Sequence, residues 1–327
     1  MMVKPFYVDT TGAWVLGHNQ TQAASSHLQA GARSELIPSP ITKALSTFGG
    51  RIAAQTMQYM FKGNVQSLLN YAAFRPYAMM EAIRQALGDN KDGKIVLDPA
   101  SGFSPIYYWL ANEMPETTFI EIDTPKMIAD KKSALSKFHR PKNLSLRPAN
   151  LSDVHLHSLS DNRVDVLVVT GAFVSHVDYR DMLKYVTSIV KDDGYIIAPF
   201  PYTVGIENFM ENAAVFGRIV TAPIGAISTP DELSLIFNAS DFTVTHTLKL
   251  SELAERYHKP RPMDVELIAI AQKGIPAPAP IDAELTEIVE LNDALHSAKN
   301  TVPPFIEFDP ESFKRFPRRQ RFLTPKK

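Results

Sequence analysis

The spacing of apolar positions changes character along the chain. Residues 1–90 carry few strand signals, and apolar residues recur at helical intervals over 41–60 and again over 65–87. In the second stretch Arg75 precedes Pro76. A residue before proline avoids the α region, so the pattern predicts a break there. Pro76 restarts the helix, which runs through Met80, Ile83 and Leu87 and ends at Gly88. From 91 to 273 the period alternates. Short apolar runs predict strands at 94–98 (KIVLD), 118–123 (TFIEID), 144–147, 165–170 (DVLVVT) and 195–199 (YIIAP), with helices at 105–112, 125–137 and 179–190 between them. Single helices between strands require right-handed crossovers, hence a doubly wound, mostly parallel α/β sheet. Runs at 242–249 and 265–272 predict two more strands, antiparallel at the sheet edge, making seven. Residues 274–327 read as a Pro-rich tail, with one helix at 283–298 and a basic end from Lys314 to Lys327.

Composition then narrows the function classes. Hydrophobic residues at 45% and charged residues at 21% fit a folded globular chain. Lys and Arg total 34 against 35 Asp and Glu, so no overall basic field exists to hold nucleic acid. Cysteine is absent, which excludes disulfides, thiolate zinc sites, iron–sulfur clusters and a cysteine nucleophile. The N-terminal segment has no apolar signal region, and no run is long and apolar enough to span a bilayer. A cytoplasmic chain without a membrane partner is therefore expected. Asp153, His155 and His157 alternate at a spacing that suits chelation, but no further ligand from elsewhere in the chain joins them, and no metal is expected. The G-x-S-x-G elbow, the Walker loop and H-E-x-x-H are all missing.

Candidate chemistry concentrates in 95–123. One strand ends in Asp98. A turn of small residues follows, Ala100-Ser101-Gly102, and Ser104 is placed to cap a helix starting at Pro105. The next strand ends in Asp123, 21 residues beyond Gly102. In open α/β sheets ligands bind beyond the carboxyl ends of the strands, and an acid ending the second strand suits both hydroxyls of a ribose. The turn decides which nucleoside. A dinucleotide needs G-x-G-x-x-G so that its pyrophosphate reaches backbone N–H groups. Here one glycine is followed by Phe103, Ser104 and Pro105, which crowd a diphosphate, and Pro105 has no N–H. A cofactor with ribose and no phosphate, S-adenosyl-L-methionine, fits better. A nicotinamide-dependent oxidoreductase is disfavoured on the same ground.

The segments LDPASGFSP and FIEIDTPKMIADKKSAL resemble the first two motifs of the leucine carboxyl methyltransferase-like group of S-adenosylmethionine-dependent methyltransferases, whose bacterial relatives include polyketide O-methyltransferases. The pattern is carried by Glu121, Asp123, Pro125 and Lys131. The later segment ISTPDELSLIFNASDFTVTHTLKLSELAERY is similar to the group's region before its final strands. The resemblance implies a class I, Rossmann-like methyltransferase fold. Residues 1–90 would form a helical N-terminal lid, 91–273 the cofactor-binding catalytic domain with a lid insert at 200–230, and 274–327 a C-terminal extension. It implies Asp98 and Gly102 under the methionine part, Asp123 on the ribose, and Arg75 against the cofactor carboxylate, where a planar guanidinium fits. Asn150 and Asp153 are its candidates beside the adenine amine. Ala100, Glu121, Leu151 and Thr170 complete the expected cofactor set. The group carries Glu-Gly and then a tyrosine after its fourth strand. Here Thr170 stands in place of the acid and Ser175 in place of the tyrosine, which leaves the acceptor class open.

On the acceptor side, His176 follows the fourth strand, where substrate should lie. A neutral histidine can take the proton of a hydroxyl or enol nucleophile, whereas a carboxylate needs only positioning. Arg218, in the aromatic insert 200–230, is placed to pair with a substrate carboxylate. The expected activity is methyl transfer to an oxygen, hydroxyl or carboxylate, of a small organic molecule. N-methyl transfer, a non-catalytic S-adenosylmethionine-binding regulator or scaffold, and a homodimer all stay open.

Overall fold

The structure, a computed structural model, describes residues 6–9, 13–16, 20–60, 64–149, 163–169, 188–201, 230–262, 264 and 266–275. The chain starts with an antiparallel hairpin of β1 (Phe6–Asp9) and β2 (Ala13–Leu16). Four helices follow: α1 (Gln20–Leu36), α2 (Pro40–Leu45), α3 (Phe48–Met60) and α4 (Asn64–Leu87). The single helix expected at 41–60 is therefore two. Ser46 adopts an extended conformation and its N–H closes α2 on the Lys43 carbonyl. At the front of α2, Ser39 and Thr42 cap each other's backbone reciprocally.

The expected break at Arg75-Pro76 is absent, for α4 runs straight through Pro76. Proline removes one helical hydrogen bond, but the surrounding turns are locked by burial of Tyr71, Phe74, Ala78 and Met79, and Arg75 is held by Glu266. Tertiary contacts override the local preference. Gly88, at φ 58°, ends the helix as expected, its N–H on the Arg84 carbonyl.

The main sheet contains β3 (Ile95–Asp98), β4 (Thr118–Asp123), β5 (Leu144–Pro148), β6 (Val164–Val168), β7 (Val190–Pro201), β8 (Phe242–Lys249) and β9 (Glu266–Lys273). Their order is β5-β4-β3-β6-β7-β9-β8. The first five are parallel, and β9 runs antiparallel to both β7 and β8. All seven expected strands are present, and the last two lie at the edge in the expected sense. The central strands read as unbroken apolar runs because both faces are covered. Val96, Phe119, Val166 and Ile197 face α4, α5 (Ile106–Glu113), α6 (Pro125–Ala134) and α8 (Leu250–Arg256). Leu97, Ile120, Leu167 and Ile196 face the other side, where α7 (Pro230–Asn238) contributes Leu233 and Phe237. The helix expected at 179–190 lies mostly outside the described residues, and Val190 already belongs to β7.

A smaller apolar cluster joins the N-terminal helices to the sheet. Ala30 of α1 and Ile41 and Leu45 of α2 pack with Phe103, Met127 and Leu135. Helix α1 has no stripe of large apolar residues and relies on close approach instead. A Cβ on Gly31 would lie 2.1 Å from the Gly50 carbonyl oxygen, and one on Gly50 would lie 2.2 Å from the His27 carbonyl oxygen. The two glycines let the backbones of α1 and α3 touch.

Candidate functional site

In the sheet order, β3 sits between β4 and β6, so the direction of winding reverses there. This is the switch point at which open α/β sheets present a crevice. The turn leaving β3 is fixed by its own backbone and by two acids. Buried Asp98 accepts hydrogen bonds from Ala100 N at 2.9 Å and from the Tyr107 hydroxyl at 2.8 Å. Burial and the Asp98 charge push the Tyr107 phenol well above its usual range, so it stays a donor. Ser101 N reaches the Ile122 carbonyl of β4. Gly102, at φ 53°, occupies the left-handed region, where a side chain is strained. Its N–H donates to Asp123 Oδ2 at 2.7 Å, and Thr124 N donates to Oδ1 at 2.7 Å.

The turn glycine and the acid that ends β4 are thus joined by a direct hydrogen bond. Asp123 is partly exposed at the tip of β4. Burial pushes its pKa up, against the two backbone N–H groups and the nearby Lys131 charge. Ala100, Gly102 and Ser104 are partly exposed, while Ser101, Phe103 and Pro105 are buried. The expected cap is shifted by one residue. Pro105 occupies the cap position, α5 starts at Ile106, and Ser104 Oγ accepts a long 3.4 Å bond from Ile106 N. The front of α5 thus presents no N–H at Pro105 for a phosphate.

Charged side chains are buried beside the turn. Glu121 and Lys131 are both 0% exposed and form an ion pair. Glu121, expected in the cofactor set, faces Lys131 in the protein interior. Arg75, expected on the cofactor carboxylate, instead engages a protein carboxylate: its Nε lies 2.8 Å from Glu266 Oε2 and its Nη2 3.5 Å from Oε1. Arg33 on α1 is 6% exposed and donates from Nη2 to the Phe103 carbonyl at 3.1 Å. Burial, then the neighbouring Arg75 charge, pushes its pKa down to about 9. His27, one turn and a half earlier on α1, lays its ring on Phe103 with centroids 4.9 Å apart. Burial first, then Lys126, lowers its pKa, and Asp130 partly opposes them.

Whether a polar ligand suits this place can be judged from atoms left unsatisfied. Among the described residues, Ser101 Oγ, Glu121 Oε1 and His27 Nδ1 are buried without a hydrogen-bond partner, and all three lie in or beside this turn. Buried polar groups are nearly always bonded, so orphans gathered at one turn fit a site that a polar molecule completes. Asn150, Leu151, Thr170, His176 and Arg218 lie outside the described residues, as do Asp153, His155 and His157. Sequence reasoning missed Arg33, His27 and Glu266. No local motif marks them, because their partners are 70 and 191 residues away for Arg33 and Glu266.

Among the described residues, no cluster of acids and histidines is arranged to hold a metal, and no helix is long and apolar enough to cross a membrane. No protein-family model and no curated protein sequence matches the chain. Solved structures similar to it include magnesium protoporphyrin IX methyltransferase from Synechocystis PCC 6803 with bound S-adenosylhomocysteine. That likeness has 13% identity and a TM-score of 0.48, covering 63% of this chain and 86% of that one. The N-methyltransferase NodS from Bradyrhizobium japonicum WM9 is similar at 10% identity over 62% of this chain and 97% of that one, with a TM-score of 0.41. The pyocyanin biosynthetic protein PhzM is similar at 13% identity over 63% of this chain and 57% of that one, with a TM-score of 0.43. The order of the seven strands, with parallel crossovers and an antiparallel last pair, makes the fold that of a class I, Rossmann-like methyltransferase.

Proposed function

We propose that this chain is an S-adenosylmethionine-dependent methyltransferase acting on an oxygen, hydroxyl or carboxylate, of a small organic molecule. The observation that carries the reading is the 2.7 Å bond between Gly102 N–H and Asp123 at the switch point, beside a helix start that Pro105 closes to diphosphate. That combination asks for a ribose without a pyrophosphate. When bound, S-adenosylmethionine supplies an electrophilic methyl group on a sulfonium sulfur.

The protein's own part is holding and alignment. Asp123, oriented by Gly102 and Thr124, accepts from the ribose hydroxyls. Ala100 and Gly102 form the floor of the amino-acid end, and Asp98, fixed by Tyr107, holds that floor rigid. Asn150, Leu151 and Thr170 complete the cofactor rim in this proposal. On the acceptor side, His176 takes the proton of a hydroxyl, and Arg218 orients a carboxylate, which needs no base. Residues 1–90 and the insert 200–230 roof the acceptor and exclude water. Packing of Phe103 against Ala30, Ile41 and Leu45 supports this cover, because it ties α1 and α2 to the turn itself.

The test is transfer of a labelled methyl group from S-adenosylmethionine to a panel of phenols, enols, carboxylic acids and amines, with the product bond located by NMR. Methylation at oxygen, reduced in His176→Ala for hydroxyl acceptors, is expected. Transfer to amines alone contradicts the oxygen assignment. Tight cofactor binding without transfer to any acceptor contradicts the enzyme assignment and leaves a binding regulator.

A further inference from the structure

We propose that Lys131, buried beside β4 and paired with Glu121, is a positioning residue that keeps Asp123 ionised for the ribose. This inference rests on the cofactor reading above and adds the residue behind one of its contacts. Thr124, the residue after Asp123, caps α6, and that helix turns Met127, Ile128 and Lys131 inward. Lys126 and Lys132 on the same helix are exposed, whereas Lys131 and its partner Glu121 are both 0% exposed. A core position is a costly place for a lysine, and a buried ion pair can often be replaced by apolar residues with no loss of stability. This pair is also incompletely bonded, for Glu121 Oε1 has no hydrogen-bond partner. Packing alone gives no reason for a charge here.

The surroundings of the pair give one, because three acids gather at the turn. Glu121 lies opposite Asp98 in the register of β3 and β4, and the Tyr107 phenol feels both charges. Asp123 is two residues beyond Glu121 on the same strand, so the two project to one face. Acids this close oppose one another's ionisation, and a buried cation among them offsets that. Lys131 acts on Asp123 in this sense, against the burial that raises its pKa. The other charges on neighbouring elements are engaged elsewhere. Lys126 pairs with Asp130 at the surface, where both act on His27 of α1. Arg147 of β5 bonds Ser145, and Arg33 of α1 bonds the Phe103 carbonyl.

The experiment follows S-adenosylhomocysteine binding to full-length protein by calorimetry as the pH is lowered. The ribose acceptor is the ionised acid, so affinity is lost as pH falls through the Asp123 pKa, and removing Lys131 raises that pKa. Wild-type affinity should therefore fall in a step that Asp123→Asn lacks. The double variant Glu121→Gln/Lys131→Met removes the pair without leaving a buried charge unpaired. Its affinity above the step should stay within about two-fold of the wild type, and the step should move to higher pH by about one unit, a modest effect for a nearby opposite charge. A lysine that only packs would change affinity equally at every pH and leave the step in place. Lys131→Gln, which keeps a donor for Glu121 and loses the charge, should move the step in the same direction and serves if the double variant fails to fold. An unmoved step, or a wild type with no step to move, overturns the assignment. Wild-type protein that does not bind S-adenosylhomocysteine overturns the cofactor reading itself, a distinct result.

Discussion

Replacing Arg33 by methionine should make the protein more stable. Burial, then the neighbouring Arg75 charge, pushes the Arg33 pKa down to about 9, so the fold penalises its charged form. Methionine has similar length and removes that penalty. It also strips the Phe103 carbonyl of its donor, which costs about 1–3 kcal/mol. The balance favours the variant, as when buried ionic groups are replaced by apolar residues of similar volume. Urea unfolding at pH 7.5 without ligand measures this as a higher midpoint at unchanged slope. The pH dependence has a definite sign. Below pH 9 the folded and unfolded states both keep the proton, so the penalty is constant and the variant's advantage is full. As pH rises above 9 the folded wild type sheds its proton first and recovers stability, and the advantage shrinks. A variant destabilised by more than about 1 kcal/mol at pH 7.5 would refute the reasoning, since a matched arginine behaves that way.

The contrast within the arginine pair gives a second prediction. Glu266→Gln removes the carboxylate from buried Arg75 and should cost about 3 kcal/mol in the same unfolding assay. Gly31→Ala places a methyl 2.1 Å from the Gly50 carbonyl and should cost about 2–3 kcal/mol in the same assay. Burial raises the Asp123 pKa, so the ionised acceptor of the ribose is lost on acidification sooner than for an ordinary aspartate. Affinity measured against pH should fall with a midpoint above the usual aspartate range, and Asp123→Asn should be weaker throughout and lack that step.

The sheet was legible because its signals are local. TFIEID and FTVTHTLK are strands over the same residues that their sequence pattern predicts, and Asp98, Gly102 and Asp123 fall at the strand ends where the crevice lies. Elements governed by distant contacts were not legible. Pro76 reads as a helix break, yet burial of the flanking residues and the Arg75–Glu266 pair carry the helix through it. The hairpin of FYVD and AWVL was lost in an Ala- and Gln-rich region, because four-residue strands barely alter the average pattern. Arg33 sits in a helix with no apolar stripe, and nothing near it in sequence says that its neighbour is Phe103. The role expected of Arg75 came from its position before the first strand. A position in sequence cannot reveal that a glutamate 191 residues later already faces it.

The most direct test of the account is calorimetric titration of the purified protein with S-adenosylmethionine and S-adenosylhomocysteine, beside Asp123→Ala. The account predicts saturable binding of both in the micromolar range. In the variant, loss of the charged acceptor for the ribose hydroxyls should weaken it by about 30-fold or more. Well-folded wild-type protein that binds neither ligand, or a variant that binds both as tightly as the wild type, would contradict the claim that this turn and this acid form a cofactor site.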